Sequence, residues 1–144
     1  MFGAGWEGQR TVTIAAEQKA GFRRALVVDD EGGLQLLVRA VLEHGSYMVD
    51  VARNGCEACD RIRTNQYDAI VCDLLMPQMD GATFFRALKE LDEEQAGRVI
   101  FVTGASLDLE TRAQIRESGR PILRKPFDID ELERAVNAVA QAAG

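Results

Sequence analysis

From Arg24 onward, short blocks of consecutive apolar residues alternate with longer stretches in which apolar residues recur every three or four positions. The short blocks are Arg24–Asp29, Tyr47–Ala52, Asp68–Asp73, Arg98–Thr103 and Pro121–Arg124. Near-continuous runs such as Val99-Ile100-Phe101-Val102 suit strands buried on both faces. Leu34, Leu37, Val38, Val41 and Leu42 place one apolar stripe on a first helix, and Leu132, Ala135, Val136 and Val139 do so on a last one. Between them the pattern predicts helices at Gly55–Asn65, Thr83–Leu91 and Leu109–Glu117. This alternation predicts an α/β fold with a parallel sheet of five strands and five helices.

Residues 1–21 are rich in glycine and alanine and hold no sustained period, so they are expected to be a flexible lead-in or linker, with Thr11–Ile14 the one stretch of strand character. That leaves 22–144 as the folded domain. A domain of about 150 residues buries roughly 70% of its unfolded surface, and 144 residues leave no room for a second. The net charge of −6, with both signs mixed along the chain, argues against direct nucleic-acid binding and supplies no basic amphipathic stretch for a membrane. No apolar run reaches the length of a membrane span or a signal peptide, so no membrane insertion and a cytoplasmic address are expected. Three cysteines, an odd number, agree with a reducing compartment.

Chemistry concentrates at the strand ends. Asp29 and Asp30 close the first strand, Asp73 the third and Thr103 the fourth, and Lys125 follows the fifth. A parallel sheet gathers the carboxyl ends of its strands along one edge, where ligands bind. Three carboxylates brought together there repel one another unless a cation compensates them. An oxygen-only set suits a hard divalent ion such as magnesium (Mg). Each residue also has a plainer reading: Asp29 and Asp30 as caps of the first helix, Asp73 as a polar strand end, Lys125 as a solvated side chain, Thr103-Gly104 as a strand-to-loop junction. Their joint occurrence at successive strand ends favours a site.

Four segments, Leu26-Val27-Val28-Asp29-Asp30-Glu31, Asp73 through Gly81, Phe101-Val102-Thr103-Gly104 and Lys125-Pro126-Phe127, together resemble the receiver domain of two-component response regulators. The resemblance runs from about Arg24 to Ala140. It implies a flavodoxin-like doubly wound sheet in the order 2-1-3-4-5 and a phosphoryl-accepting switch. Asp73 is then the nucleophile that takes a phosphoryl group from a phosphohistidine, a carboxylate being competent for such covalent chemistry. Magnesium is bound directly by Asp30, through water by Asp29, and by Asp73 and the Leu75 backbone carbonyl. Lys125 and the Thr103 hydroxyl hold the phosphoryl oxygens. The implied partner is a histidine kinase or a histidine phosphotransfer protein, docking against the first helix near Leu34 and Leu36. Self-phosphorylation and slow dephosphorylation are expected, without multiple-turnover enzymology.

Departures matter as much. Many receivers carry Tyr or Phe three residues before the lysine, whereas Ile122 stands here. An aliphatic side chain has no aromatic swing, so output by phosphotransfer or by a different surface change on the fourth helix, the fifth strand and the fifth helix is expected. Leu75 and Ala105 cannot orient an attacking water by hydrogen bonding, so no fast dephosphorylation is expected. No effector domain is expected in the chain, which suits a single-domain regulator or the receiver segment of a hybrid histidine kinase, the run 120–127 resembling the latter. Met76-Pro77 and Asp80-Gly81 form a turn into the third helix, proline fixing φ and glycine admitting φ > 0. Receivers commonly hold the Lys125-Pro126 bond in cis.

Three rivals remain. An aspartate-nucleophile phosphohydrolase resembles an Asp-x-Asp arrangement that Asp73-Leu74-Leu75 lacks. A flavodoxin-like cofactor protein needs a phosphate-cradling loop where Asp29-Asp30-Glu31 stands. A non-phosphorylated pseudo-receiver sits poorly with a complete acidic set. Cys56 and Cys59 have dithiol spacing, but Cys59 falls on the apolar stripe with Ala58 and Ile62, so Cys59 and Cys72 are expected in the core and Cys56 in solvent. His44, before Gly45, fits a helix C-terminus.

Overall fold

The computed structural model describes residues 22–76, 79–104 and 106–143; the lead-in over 1–21, Pro77 and Ala105 lie outside them. The apolar blocks form five strands, β1 (Arg23–Val28), β2 (Tyr47–Ala52), β3 (Ala69–Asp73), β4 (Val99–Thr103) and β5 (Ile122–Arg124). They make one sheet in the order β2-β1-β3-β4-β5, with all neighbours parallel. The helices are α1 (Gly32–His44), α2 (Gly55–Thr64), α3 (Gly81–Leu91), α4 (Glu93–Ala96), α5 (Leu109–Ser118) and α6 (Ile129–Ala143).

Among the described residues there are six helices rather than five, because α4 adds a single turn after α3. Asp92 caps it, its carboxylate accepting the Gln95 N–H at 3.1 Å. Gln95 is fully buried and its side-chain oxygen accepts the Tyr67 N–H at 2.8 Å. The turn therefore exists to bring a polar plug under β3 and β4, which apolar periodicity does not signal.

Alternation along the strands splits the core in two. Leu26, Val28, Cys72 and Phe101 face α2 and α3, packing with Ile62, Phe84 and Leu88. Val27, Val71, Ile100 and Val102 face α1 and α6, packing with Val38, Leu42, Leu132 and Val136. Each side chain so buried contributes about 1.5–3 kcal/mol relative to exposure. The strands, and hence their carboxyl ends, are held rigidly. Leu37 departs from its expected core place and is 52% exposed. At 3.6 residues per turn it stands roughly 80° from the middle of the stripe set by Leu34, Val38, Val41 and Leu42. Cys59 and Cys72 are buried and Cys56 is exposed.

The amino-terminal edge of the sheet carries a polar clip. Arg24 donates to Asp50 Oδ2 at 2.8 Å and to Asn65 Oδ1 at 2.9 Å, and its guanidinium lies 5.2 Å from the Tyr67 ring centre. The Tyr67 hydroxyl donates to the same Asp50 oxygen at 2.6 Å. Arg98 donates to the Tyr67 carbonyl at 2.8 Å and to Glu94 at 2.8 Å. Burial, reinforced by the bond to Asp50, pushes the Tyr67 hydroxyl well above its usual range. Among the described residues no helix is long and apolar enough to cross a membrane.

Candidate functional site

At the opposite edge, β1 ends one residue before Asp29, and the Asp29 N–H is held by the Ala52 carbonyl of β2 at 3.0 Å. That bond turns the chain so that the Asp29 carboxylate enters the crevice, where it is only 2% exposed. Its Oδ1 accepts the Glu31 N–H at 2.8 Å, and the Gln35 side-chain amide donates to its carbonyl. The next residue, Asp30, is exposed. Neither aspartate caps α1: the capping position is Glu31, which makes no side-chain cap bond. The helix-cap reading of the pair is therefore set aside.

Asp73 is the last residue of β3 and is buried between β1 and β4. Its Oδ2 accepts from Lys125 Nζ at 3.3 Å and its Oδ1 from the Leu75 N–H at 3.0 Å. One oxygen from each of Asp29, Asp30 and Asp73 lies within 4.8 Å of the others. Burial, with the nearby Asp73 and Asp30 charges adding to it and the Glu31 N–H and Lys125 opposing, pushes the Asp29 carboxyl up to about 6. A buried carboxylate beside two more holds its charge at a cost that a cation removes. Oxygen donors alone face the gap, which fits a hard divalent ion.

Two glycines make room. A Cβ on Gly81 would stand 2.9 Å from the Leu74 Cα and 3.0 Å from the Asp73 carbonyl oxygen, so α3 starts hard against the end of β3. Close approach, rather than the positive φ expected from sequence, is what requires glycine: its φ is not among the positive values. A Cβ on Gly104 would come within 3.2 Å of the Lys125 Cδ, so glycine leaves a channel for the lysine stem. Lys125 is further fixed by its N–H donating to the Thr103 carbonyl at 2.8 Å, and the Lys125-Pro126 peptide is cis. Thr103 is buried at the end of β4 and lines a cavity of about 120 Å³ with Lys125.

The remaining sequence candidates lie around this core. Leu75 is half-exposed beside Asp73. Leu34 packs partly against the α1/α6 core, while Leu36 is 70% exposed, so the two leucines do not form one surface patch. Ile122 is 41% exposed on β5. Sequence reasoning missed Gln35, whose amide steadies the Asp29 turn. Its position one helical turn inside α1 was the only signal available.

The model of the response regulator receiver domain matches residues 25–137. Response regulator Rre1 of Synechocystis is 37% identical over 112 residues, covering 77% of this chain and 48% of its own length. The chain thus spans about half the length of such curated relatives. Sporulation initiation phosphotransferase F of Bacillus subtilis is 33% identical, covering 78% of this chain and 90% of its own. Among solved structures, the receiver domain of the Francisella response regulator 1452 superposes with a TM-score of 0.74 at 31% identity, covering 85% of this chain and 99% of that one. Strand order, the acidic crevice and these matches agree, and the chain belongs to the response regulator receiver domain family.

Proposed function

We propose that residues 22–144 act as a magnesium-dependent phosphoryl acceptor, taking the group onto Asp73 from a phosphohistidine on a histidine kinase or histidine phosphotransfer protein. The observation that carries this is the convergence of three carboxylate oxygens within 4.8 Å, with Lys125 bonded to the most central acid. Bound magnesium would neutralise charge on the transferring group, held by Asp30 and Asp73, the Leu75 carbonyl, and Asp29 through water. An Asp73 oxygen attacks phosphorus, the P–N bond breaks, and the imidazole leaves with the bonding electron pair. Lys125 and Thr103 meet the phosphoryl oxygens, since such transfer needs positioning and charge compensation more than further covalent chemistry. The Leu75 N–H, bonded to Asp73 Oδ1, leaves Oδ2 on the Lys125 side as the attacking atom. A relative whose name is a phosphotransferase supports output by passing the group on, as does an isoleucine in place of the usual aromatic at Ile122.

The test is intact mass after incubation with magnesium and acetyl phosphate. The parent protein gains one phosphoryl mass and Asp73→Asn gains none. A variant phosphorylated as fast as the parent would assign the acceptor elsewhere.

A further inference from the structure

Phe84, Leu88 and Ile115 pack into one core, so α3 and α5 lie side by side on one face of the sheet. They do not close on each other: α3 is seated by several buried side chains, α5 by Ile115 alone, and a groove of about 360 Å³ remains between them. Its floor is apolar, made of Ala82, the half-buried Phe85 and Ile115. Phe85 is fixed from below, its ring meeting that of Phe101 on β4 edge to face with centres 5.8 Å apart and planes at 69°. The rims carry opposite charge. Arg86 and Lys89, three apart and so on one side of α3, stand along one rim, and Glu117 stands with Gln114 along the other. Among the described residues the Lys89, Glu117 and Gln114 side chains make no ion pair or hydrogen bond, and Arg86 reaches only Thr83 Oγ1, at 3.5 Å.

Opposite charges on neighbouring helices attract and pair where they can reach. Here the groove holds them apart, so neither rim satisfies the other and both are open to a ligand. Its volume is that of roughly a dozen waters at about 30 Å³ each, near the small end of ligand pockets. Ala82 to Lys89 spans about two helical turns, or about 10 Å. Such a space takes one ring with a polar group at each end. Two cations against one carboxylate favour a net anion, and the end that faces Glu117 must donate a hydrogen bond. A planar ring finds an aromatic contact on Phe85. We propose that the groove binds a small aromatic carboxylate with a hydrogen-bond donor at its far end. Its carboxylate lies between Arg86 and Lys89, its ring on Phe85 and Ile115, and its donor on Glu117. α3 begins at Gly81 against Leu74 and Asp73, and Phe101 stands two residues before Thr103, so the ligand rests on both elements that flank the acidic crevice. Binding itself stands whether or not Asp73 is the phosphoryl acceptor.

The test is an amide proton–nitrogen NMR titration of the whole protein with para-aminobenzoate, and with benzoate and aniline as its two halves. Para-aminobenzoate should shift amides of α3 and α5 around Phe85 and Ile115, saturating with a dissociation constant of about 1 mM or tighter. Each half should bind about fivefold more weakly or worse, since it meets only one rim. Arg86→Gln/Lys89→Gln should weaken para-aminobenzoate and benzoate alike, again by about fivefold or more, and leave aniline unchanged. Glu117→Gln should weaken para-aminobenzoate and aniline and spare benzoate. Shifts that fail to saturate, that scatter over the surface, or that match for all three probes overturn the proposal, as does binding indifferent to these variants. The comparison of probes on the parent protein decides the matter even where a variant fails to show the parent's circular dichroism. Acetyl phosphate labelling of the same samples, read by mass, separates a failure here from a failure of the acceptor reading.

Discussion

The two edges of the sheet treat charge in opposite ways. At the amino-terminal edge Arg24 meets Asp50 and Asn65, Tyr67 meets the same Asp50 oxygen, and Gln95 and Arg98 hold the Tyr67 backbone from both sides. At the carboxyl edge three carboxylates share a gap with one lysine, 3.3 Å from Asp73. The same strands supply both edges, so burial alone does not explain the difference. A paired cluster stabilises the fold, whereas a cluster with an excess of one sign stores unfavourable energy until a ligand arrives. The contrast teaches which edge is structure and which is work.

The largest expected effect lies at the paired edge. Tyr67→Ala removes a fully buried ring together with its hydroxyl bond to Asp50 and its contact with the Arg24 guanidinium, and is expected to cost about 3–5 kcal/mol. Urea unfolding followed by circular dichroism measures it, and a loss under about 1 kcal/mol would mean that the clip is incidental.

Next comes the cation at the unpaired edge. Magnesium at a hundred times its dissociation constant should add about 2.7 kcal/mol to stability. Thermal melts with and without the metal should separate for the parent and coincide for Asp30→Ala. An undiminished shift in that variant places the ion elsewhere.

A smaller, pH-dependent effect should appear without metal. The Asp29 carboxyl sits at about 6 in the fold against its usual 3.8, so the folded chain binds this proton more tightly than the unfolded one. The resulting stabilisation is complete below the lower value and is lost as pH rises through the upper one. Allowing for water at the mouth of the crevice, it amounts to roughly 1–2 kcal/mol. In chelator, the parent should gain on Asp29→Asn between about pH 7 and about pH 5. A flat difference across that range, or the reverse slope, would show that Asp29 is not held against its charge.

The smallest change in stability is expected at Leu36→Asp, within about 0.5 kcal/mol because the side chain is mostly in water. Labelling by acetyl phosphate should persist while transfer from a phosphohistidine protein slows. Equal transfer rates would remove this part of α1 from the docking surface.

Much of the carboxyl edge was legible because it is written in local order: each acid follows an apolar block, and parallel strands align their ends. The paired edge was not. Arg24, Asp50 and Tyr67 are brought together by register across β1, β2 and β3, and nothing in their own neighbourhoods announces it. The extra turn of α4 had a signal, Asp92 three residues before Gln95, a cap followed by the amide it holds, but four residues carry too little apolar period to be weighed. Leu37 erred by one step around the helix. Gly81 was read for its torsional freedom when contact with Leu74 was the constraint.

Cys72 lies wholly inside the sheet, one residue before Asp73, and burial raises its thiol well above the usual value, while Cys56 stands in solvent. A thiol that is both hidden and protonated reacts only when the strands part. The protein thus carries its own clock for that event: a thiol reagent consumes Cys56 at once, then waits on α2 for Cys59 and on the breathing of β3 for Cys72, so the slow phase that Cys72→Ser removes times how often the floor beneath Asp73 opens.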